Sequence, residues 1–139
     1  MSSVAQSAIF ADLVFNEEGE RARVVEIGGV PHYAVPDGGF LRHVEARLVD
    51  RQIVFALKER FLAMEDAVIE GLIQMLGEEG PFTRAAIKHA IENMDQILES
   101  GVVNAEELRT ALWMTKFRAV VDVHGDLVRL ELPGMEAAD

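Results

Sequence analysis

The chain has 139 residues, half of them hydrophobic and 27% charged, a balance that excludes a wholly disordered chain and fits one domain of common size. Its 24 acidic and 13 basic side chains give a formal net charge of −11, which disfavours broad binding to nucleic acid or to an anionic membrane. The absence of cysteine excludes a disulfide scaffold and a thiolate metal site, and no apolar run reaches the roughly 18 residues of a membrane span.

Alternating or β-branched runs in the first third of the chain predict a three-stranded antiparallel meander. The predicted strands cover residues 9–15, 21–27 and 30–35. Asn16-Glu17-Glu18-Gly19 and Gly28-Gly29 provide the two turns between them. Pro31 cannot donate a backbone hydrogen bond, which favours an edge position for the third strand. Pro36-Asp37-Gly38-Gly39 is expected to end the sheet.

A long helical stretch comes next, because no proline or turn cluster intervenes between about Phe40 and Leu76. It predicts either one helix of roughly 36 residues or two helices separated near Asp50.

Charged residues lie inside the apolar face of this long helix. At 100° per residue, the apolar side chains of residues 53–76 fill an arc about 200° wide. Lys58 and Glu65 fall within that arc, and Arg47 and Arg51 extend the same line towards the N-terminus. Burying an unpaired charge is costly, so three interpretations stay open. The side chains reach water, pair across an antiparallel homodimer, or hold a ligand.

Two shorter helices follow. The first begins after Gly80-Pro81, with Thr83 as its N-cap, and ends at Gly101. The second is capped by Asn104 and runs to about Phe117. Trp113 and Phe117 lie on one side of this helix, nearly opposite its other apolar residues. The helix is therefore either buried all round or presents Trp113 and Phe117 to a partner.

The junction between the predicted sheet and the long helix holds the catalytic candidates. His32, Tyr33, Asp37 and His43 cluster there, and a histidine with an aspartate can act as a base and its orienting group. No nucleophile motif accompanies them, and neither a phosphate-binding glycine loop nor a complete set of metal ligands occurs. No cofactor and no metal are expected.

The order of the C-terminal elements resembles that of a class of DNA-binding domain. From Thr83 to Leu132 the order of helix, turn, helix and hairpin is typical of a winged helix-turn-helix. Arg109, Lys116 and Arg118 fit that function. The acidic start of the helix after the turn opposes it, so binding to nucleic acid is not expected.

These patterns predict an α+β fold: an N-terminal meander, one long helix and two shorter ones, and a C-terminal hairpin. The hairpin strands are expected at residues 119–123 and 127–132. A single domain should span residues 1–134, with residues 135–139 forming a frayed tail. The opening residues lack the basic segment of a secretory signal, which favours a cytoplasmic protein.

Three functions are compatible with this sequence. The leading hypothesis is a non-enzymatic interaction or assembly protein, homodimeric through the long helix, with self-association and a further protein partner as its expected contacts. The first alternative is a small enzyme or ligand-binding domain that uses the sheet-to-helix junction. The second is a winged-helix DNA-binding regulator.

Overall fold

A computed structural model describes residues 8–77, 80–100 and 104–132. The elements, in chain order, are β1 (Val14–Phe15), β2 (Arg23–Ile27), β3 (Val30–Asp37), β4 (Phe40–Glu45), α1 (Ala46–Ala63), α2 (Glu65–Leu76), α3 (Pro81–Glu92), α4 (Met94–Ser100), α5 (Ala105–Met114), β5 (Arg118–Val121) and β6 (Leu127–Glu131). The predicted α+β class is confirmed, with two three-stranded sheets and five helices in the described part of the chain.

The chain divides into two compact units. The first combines Met1–Ile53 with Val103–Asp139, and the second is Val54–Val102. The single domain over residues 1–134 stays a prediction, and the expected frayed tail at 135–139 lies outside the described residues.

The antiparallel meander is present, one strand later than predicted. Strands β2, β3 and β4 pair in that order through glycine turns, and Gly38 and Gly39 adopt φ of 56° and 97°. The turn that was expected to end the sheet is therefore a hairpin turn, and the start of the predicted long helix is strand β4. An edge position for Pro31 is also wrong, because β3 is central; Pro31 lies just before the first residue paired with β4.

The first predicted strand contributes only Val14–Phe15, because residues 9–12 form turns. This short β1 pairs in parallel with β5, and β5 pairs with β6. The C-terminal hairpin is confirmed, and it belongs to this second sheet. The turn between its strands is held by Asp122, whose side chain accepts hydrogen bonds from the backbone of His124 and Asp126.

The long helix is interrupted at Met64, not at Asp50, and separates into α1 and α2. The next predicted helix is likewise two helices, α3 and α4, with Asn93 between them. Gly80 rather than Thr83 precedes α3, so that Pro81 takes the first helical position, where its missing amide costs nothing. The predicted end at Gly101 falls outside the described residues.

Helix α5 begins as predicted. The Asn104 side chain accepts hydrogen bonds from the backbone amides of Glu106 (2.9 Å) and Glu107 (3.2 Å). It ends at Met114, earlier than expected, and Lys116 then adopts a left-handed backbone with φ of 63°.

Each unit has its own buried side chains. The second unit, Val54–Val102, is the helical unit, and in it Ile69, Ile73, Ile87 and Ile91 form a small cluster. The first unit holds the largest fully buried side chains, among them Tyr33, Phe10, Phe117, Leu13 and Ile53.

Candidate binding site

The four predicted junction residues do not converge. Side chains alternate between the faces of a strand, and His43 is paired with Ala34, so His32 and His43 share one face of the sheet while Tyr33 lies on the other. His43 is exposed, and Asp37 forms an ion pair of 2.8 Å with Arg42 beside the hairpin turn. This arrangement does not provide a base and an orienting carboxylate in contact.

Tyr33 instead forms a buried pair with Asp50. Its hydroxyl donates a hydrogen bond of 2.6 Å to Asp50 Oδ1, while Asp50 Oδ2 accepts one of 2.9 Å from the backbone amide of Ile9. Burial raises the pKa of Asp50 to about 7, although the hydrogen bonds and nearby Arg109 act to lower it. Burial and the Asp50 charge raise the pKa of Tyr33 well above its ordinary value. Asp50 thus ties α1 to β3 and to the N-terminal segment.

Arg109 also has a position inside the first unit. Its guanidinium lies 3.3 Å from the carbonyl oxygen of Ile9 and 3.5 Å from that of Ala8. Helices α3 and α4 belong to one unit, whereas α5 and the hairpin belong to the other, so the elements of the winged-helix hypothesis are divided between units.

Lys58, a member of the charged line of the long helix, has a local partner. Lys58 Nζ lies 3.9 Å from Asp95 Oδ1, and both side chains are partly exposed. Arg47 and Arg51 are exposed, and Glu65 is partly buried. The proposed contact of Lys58 with Glu65 of a second copy stays a prediction.

The described part of the first unit contains an open hollow. Its volume is about 540 Å³. It is lined by aromatic, basic and apolar side chains: Phe15, Arg21, Trp113, Met114, Lys116, Phe117 and Arg118.

Strands β1 and β5 and the turn after β1 place the side chains on one side of this hollow next to each other. Because β1 runs parallel to β5 with Phe15 opposite Val120, Phe15 comes close to Arg118 at the start of β5. The turn after Phe15 returns the chain so that Arg21 forms a backbone bridge with Phe15. Asn16, itself buried, holds that turn by accepting hydrogen bonds from the amides of Glu18 (3.0 Å) and Glu20 (2.7 Å).

Asn16 also fixes this turn to the meander. Its side-chain amide donates to the carbonyl oxygen of Pro36 at 3.0 Å and to the Glu20 carboxylate at 2.9 Å. A buried side chain with all these bonds leaves the turn few alternative conformations.

The end of α5 supplies the other side of the hollow. Trp113 and Met114 occupy the last helical positions and are 55% and 76% exposed, respectively. Lys116 follows in its left-handed conformation, which ends the helix before Phe117. Phe117 is buried, with its ring centroid 6.0 Å from that of Phe10, so it belongs to the core rather than to an exposed interface.

The arginines of the hollow lie over aromatic rings. The Arg118 guanidinium is 4.3 Å from the centroid of Phe15, and that of Arg21 is 5.8 Å from Phe15 and 5.5 Å from Trp113. Guanidinium groups at such distances are attracted by the negative ring faces. Contacts within the protein thus help to set the positions of both guanidinium groups at the hollow.

Part of this hollow coincides with residues that the sequence indicates for other reasons. Trp113 is a predicted interface residue, and Lys116 and Arg118 are predicted DNA contacts. The sequence patterns do not indicate Phe15 or Arg21. The available signal was the turn at residues 16–19, which places the residues before and after it side by side. What the sequence did not indicate was the parallel pairing of β1 with β5, a contact across about a hundred residues.

Comparison with known protein families, with functionally characterised proteins and with solved structures finds no significant match to this chain. Across residues 8–77, 80–100 and 104–132, no group of three or more His, Asp or Glu side chains forms a candidate metal site. None of the helices in these ranges is both long enough and apolar enough to cross a membrane.

Proposed function

We propose that this chain is a non-enzymatic interaction protein that self-associates through helix α1. The observation that supports this most directly is the exposure of Phe55 and Leu62, which are 66% and 37% accessible. Residues seven apart in a helix lie two turns apart on the same face. Helix α1 thus exposes a short apolar line of the kind that a second helix covers.

Lys58 lies between these two apolar residues, and its distance of 3.9 Å from Asp95 is at the limit of an ion pair. Loose, partly exposed pairs contribute little to stability, so Lys58 can exchange this partner at small cost. In an antiparallel dimer each copy would offer Glu65 to the other's Lys58, because two-fold contacts are reciprocal.

The test is the solution mass by light scattering after size exclusion, at low and at high salt. We expect a dimer for the wild-type chain and a monomer for the double variant Phe55→Ser/Leu62→Ser. Lys58→Glu should weaken the dimer most at low salt, where repulsion from Glu65 is least screened.

The matched control is Met75→Ser, which removes another strongly exposed apolar side chain, 83% accessible, from helix α2. This variant should remain dimeric. A wild-type chain that stays monomeric at every concentration, or a Met75→Ser variant that dissociates as fully as the double variant, would contradict assembly through α1.

A ligand-binding function is the second candidate, and the hollow of the first unit favours it. This site replaces the sheet-to-helix junction, because Tyr33 lies on the opposite face of the sheet from His32 and His43.

A further inference from the structure

The hollow concentrates positive charge in an acidic protein. Arg21, Lys116 and Arg118 all line it, although the chain as a whole carries a net charge of −11. Charges gathered in a concave, partly apolar site focus their field on a bound ion. This local charge is opposite in sign to the rest of the molecule, which points to an anionic occupant.

These three cations keep their charge available. Among the residues that the structure describes, no carboxylate forms an ion pair with Arg21, Lys116 or Arg118. Glu131 stands opposite Arg118 in the β5–β6 pairing, but its carboxylate contacts Arg129 at 3.1 Å. The guanidinium fork of an arginine matches the paired oxygens of a carboxylate or a phosphate.

The same hollow exposes apolar surface. More than half of Trp113 and three quarters of Met114 are accessible. An indole ring held at one edge of a cationic site offers a flat surface on which a second ring can stack. The combination of cations and an exposed indole therefore selects for a ligand with both a charge and a planar ring.

The size of the hollow favours a small molecule. Its volume of about 540 Å³ lies within the range of roughly 300–1,000 Å³ that is typical of small-ligand sites. A polyanion or a strongly acidic peptide would extend over the surrounding surface, where the net charge of the protein repels it.

We propose that the hollow formed by Phe15, Arg21, Trp113, Lys116 and Arg118 binds a small ligand that combines a planar aromatic ring with one or two negative charges. The ring stacks on Trp113, and the anionic group is held by the guanidinium groups of Arg21 and Arg118 with Lys116 beside them. An aromatic carboxylate and a nucleoside monophosphate share this chemistry. The proposal does not depend on self-association.

The test uses the full-length chain with two probes, adenosine 5′-monophosphate and 2-naphthoate, in calorimetric titrations. We expect at least one of them to bind with a Kd below about 1 mM, a limit that corresponds to a modest site of few contacts. Adenosine, which lacks the charge, and inorganic phosphate, which lacks the ring, should each bind at least tenfold more weakly. Binding of the nucleotide alone or of the carboxylate alone supports the proposal and identifies the anionic group.

Trp113 is the chain's single tryptophan, so its fluorescence reports on the hollow itself. A bound ring should change this emission with the same Kd that calorimetry gives. Arg21→Gln and Arg118→Gln should each weaken binding about tenfold or more, because each removes a charge-assisted hydrogen bond. Arg21→Lys keeps the charge without the fork and should have an intermediate affinity.

Arg47→Gln is the control, since Arg47 is an exposed arginine of the first unit that does not line the hollow. Its affinity should equal that of the wild type, and circular dichroism should show that every variant is folded. Phe55→Ser/Leu62→Ser should also bind normally, which separates this site from assembly. The proposal fails if neither probe binds, or if Arg47→Gln weakens binding as much as Arg21→Gln.

Discussion

Folding changes the acid–base chemistry of Asp50 strongly. The residue is 4% exposed, and its carboxyl group accepts hydrogen bonds from Tyr33 and Ile9 and has a pKa raised to about 7 by burial. An unfolded aspartate has a pKa of about 3.9. Between these two values the folded chain retains a proton that the unfolded chain has lost.

This difference determines how stability depends on pH. The contribution of Asp50 to the free energy of unfolding is largest below about pH 4 and decreases as the pH rises. It levels off above about pH 7, after a total decrease of roughly 4 kcal/mol. We expect urea midpoints measured between these limits to fall more steeply for the wild type than for Asp50→Asn, which cannot titrate. Equal slopes in the two proteins would show that the buried carboxyl does not titrate in this window.

The sequence revealed Asp50 only as a point where a helix was expected to break. Nothing in its neighbours indicated that a tyrosine 17 positions earlier donates to it at 2.6 Å. Such long-range pairs are decided by how elements pack. Asn104, by contrast, was predicted correctly, because an N-cap depends on amides only two and three residues away.

Several other elements with local signals were also predicted correctly. The turn at residues 16–19, the glycine turn at 28–29 and the hairpin of β5 and β6 all appear as expected. Strand β4 was missed, because a glycine pair permits both a hairpin and the end of a sheet, and only the pairing partner distinguishes them. The interruptions at Met64 and Asn93 carry no proline or glycine that would have indicated them.

The hairpin turn between β5 and β6 packs closely against Val44 at Gly125. Gly125 and Gly29 have similar left-handed backbones, with φ of 86° and 80°. An added Cβ at Gly125 would overlap the side chain of Val44, whereas at Gly29 it would meet no atom within 4 Å. Only the first substitution therefore combines backbone strain with a steric clash.

We expect left-handed strain to lower the free energy of unfolding of both alanine variants by roughly 1–2 kcal/mol. Overpacking against Val44 should lower that of Gly125→Ala by about 1–3 kcal/mol more. Urea unfolding of the two variants beside the wild type measures the difference. If their losses are equal, the turn moves away from Val44 without cost. A paired Gly125→Ala/Val44→Ala variant should recover part of the extra loss, because it makes room for the added methyl group.

At the scale of the whole molecule, the buried side chains are unevenly divided. Most of those that the structure describes belong to the first unit, while the helical unit relies chiefly on its four isoleucines. Regions with little buried apolar surface open at lower free energy than the rest of a protein. The helical unit should therefore be the first to lose structure.

Two spectroscopic signals can follow the units separately. Trp113 belongs to the first unit, whereas much of the helical circular dichroism comes from the second. Ile73→Ala should lower the free energy of unfolding of the helical unit by roughly 2–5 kcal/mol. The dichroism signal should then fall at a lower urea concentration, while the Trp113 emission keeps its wild-type midpoint. Val121→Ala, in the first unit, should instead shift the emission. Coincident shifts of both signals in both variants would establish one cooperative domain over residues 1–134.

The buried amide of Asn16 affects how fast a ligand would be captured. This side chain accepts two hydrogen bonds and donates two, and together they fix the turn that carries Arg21 before anything binds. The conformational entropy that a mobile loop would lose upon association has already been lost during folding. A pre-formed receptor needs no rearrangement between encounter and capture, so its association rate is limited by diffusion and its affinity is determined by how slowly the ligand leaves.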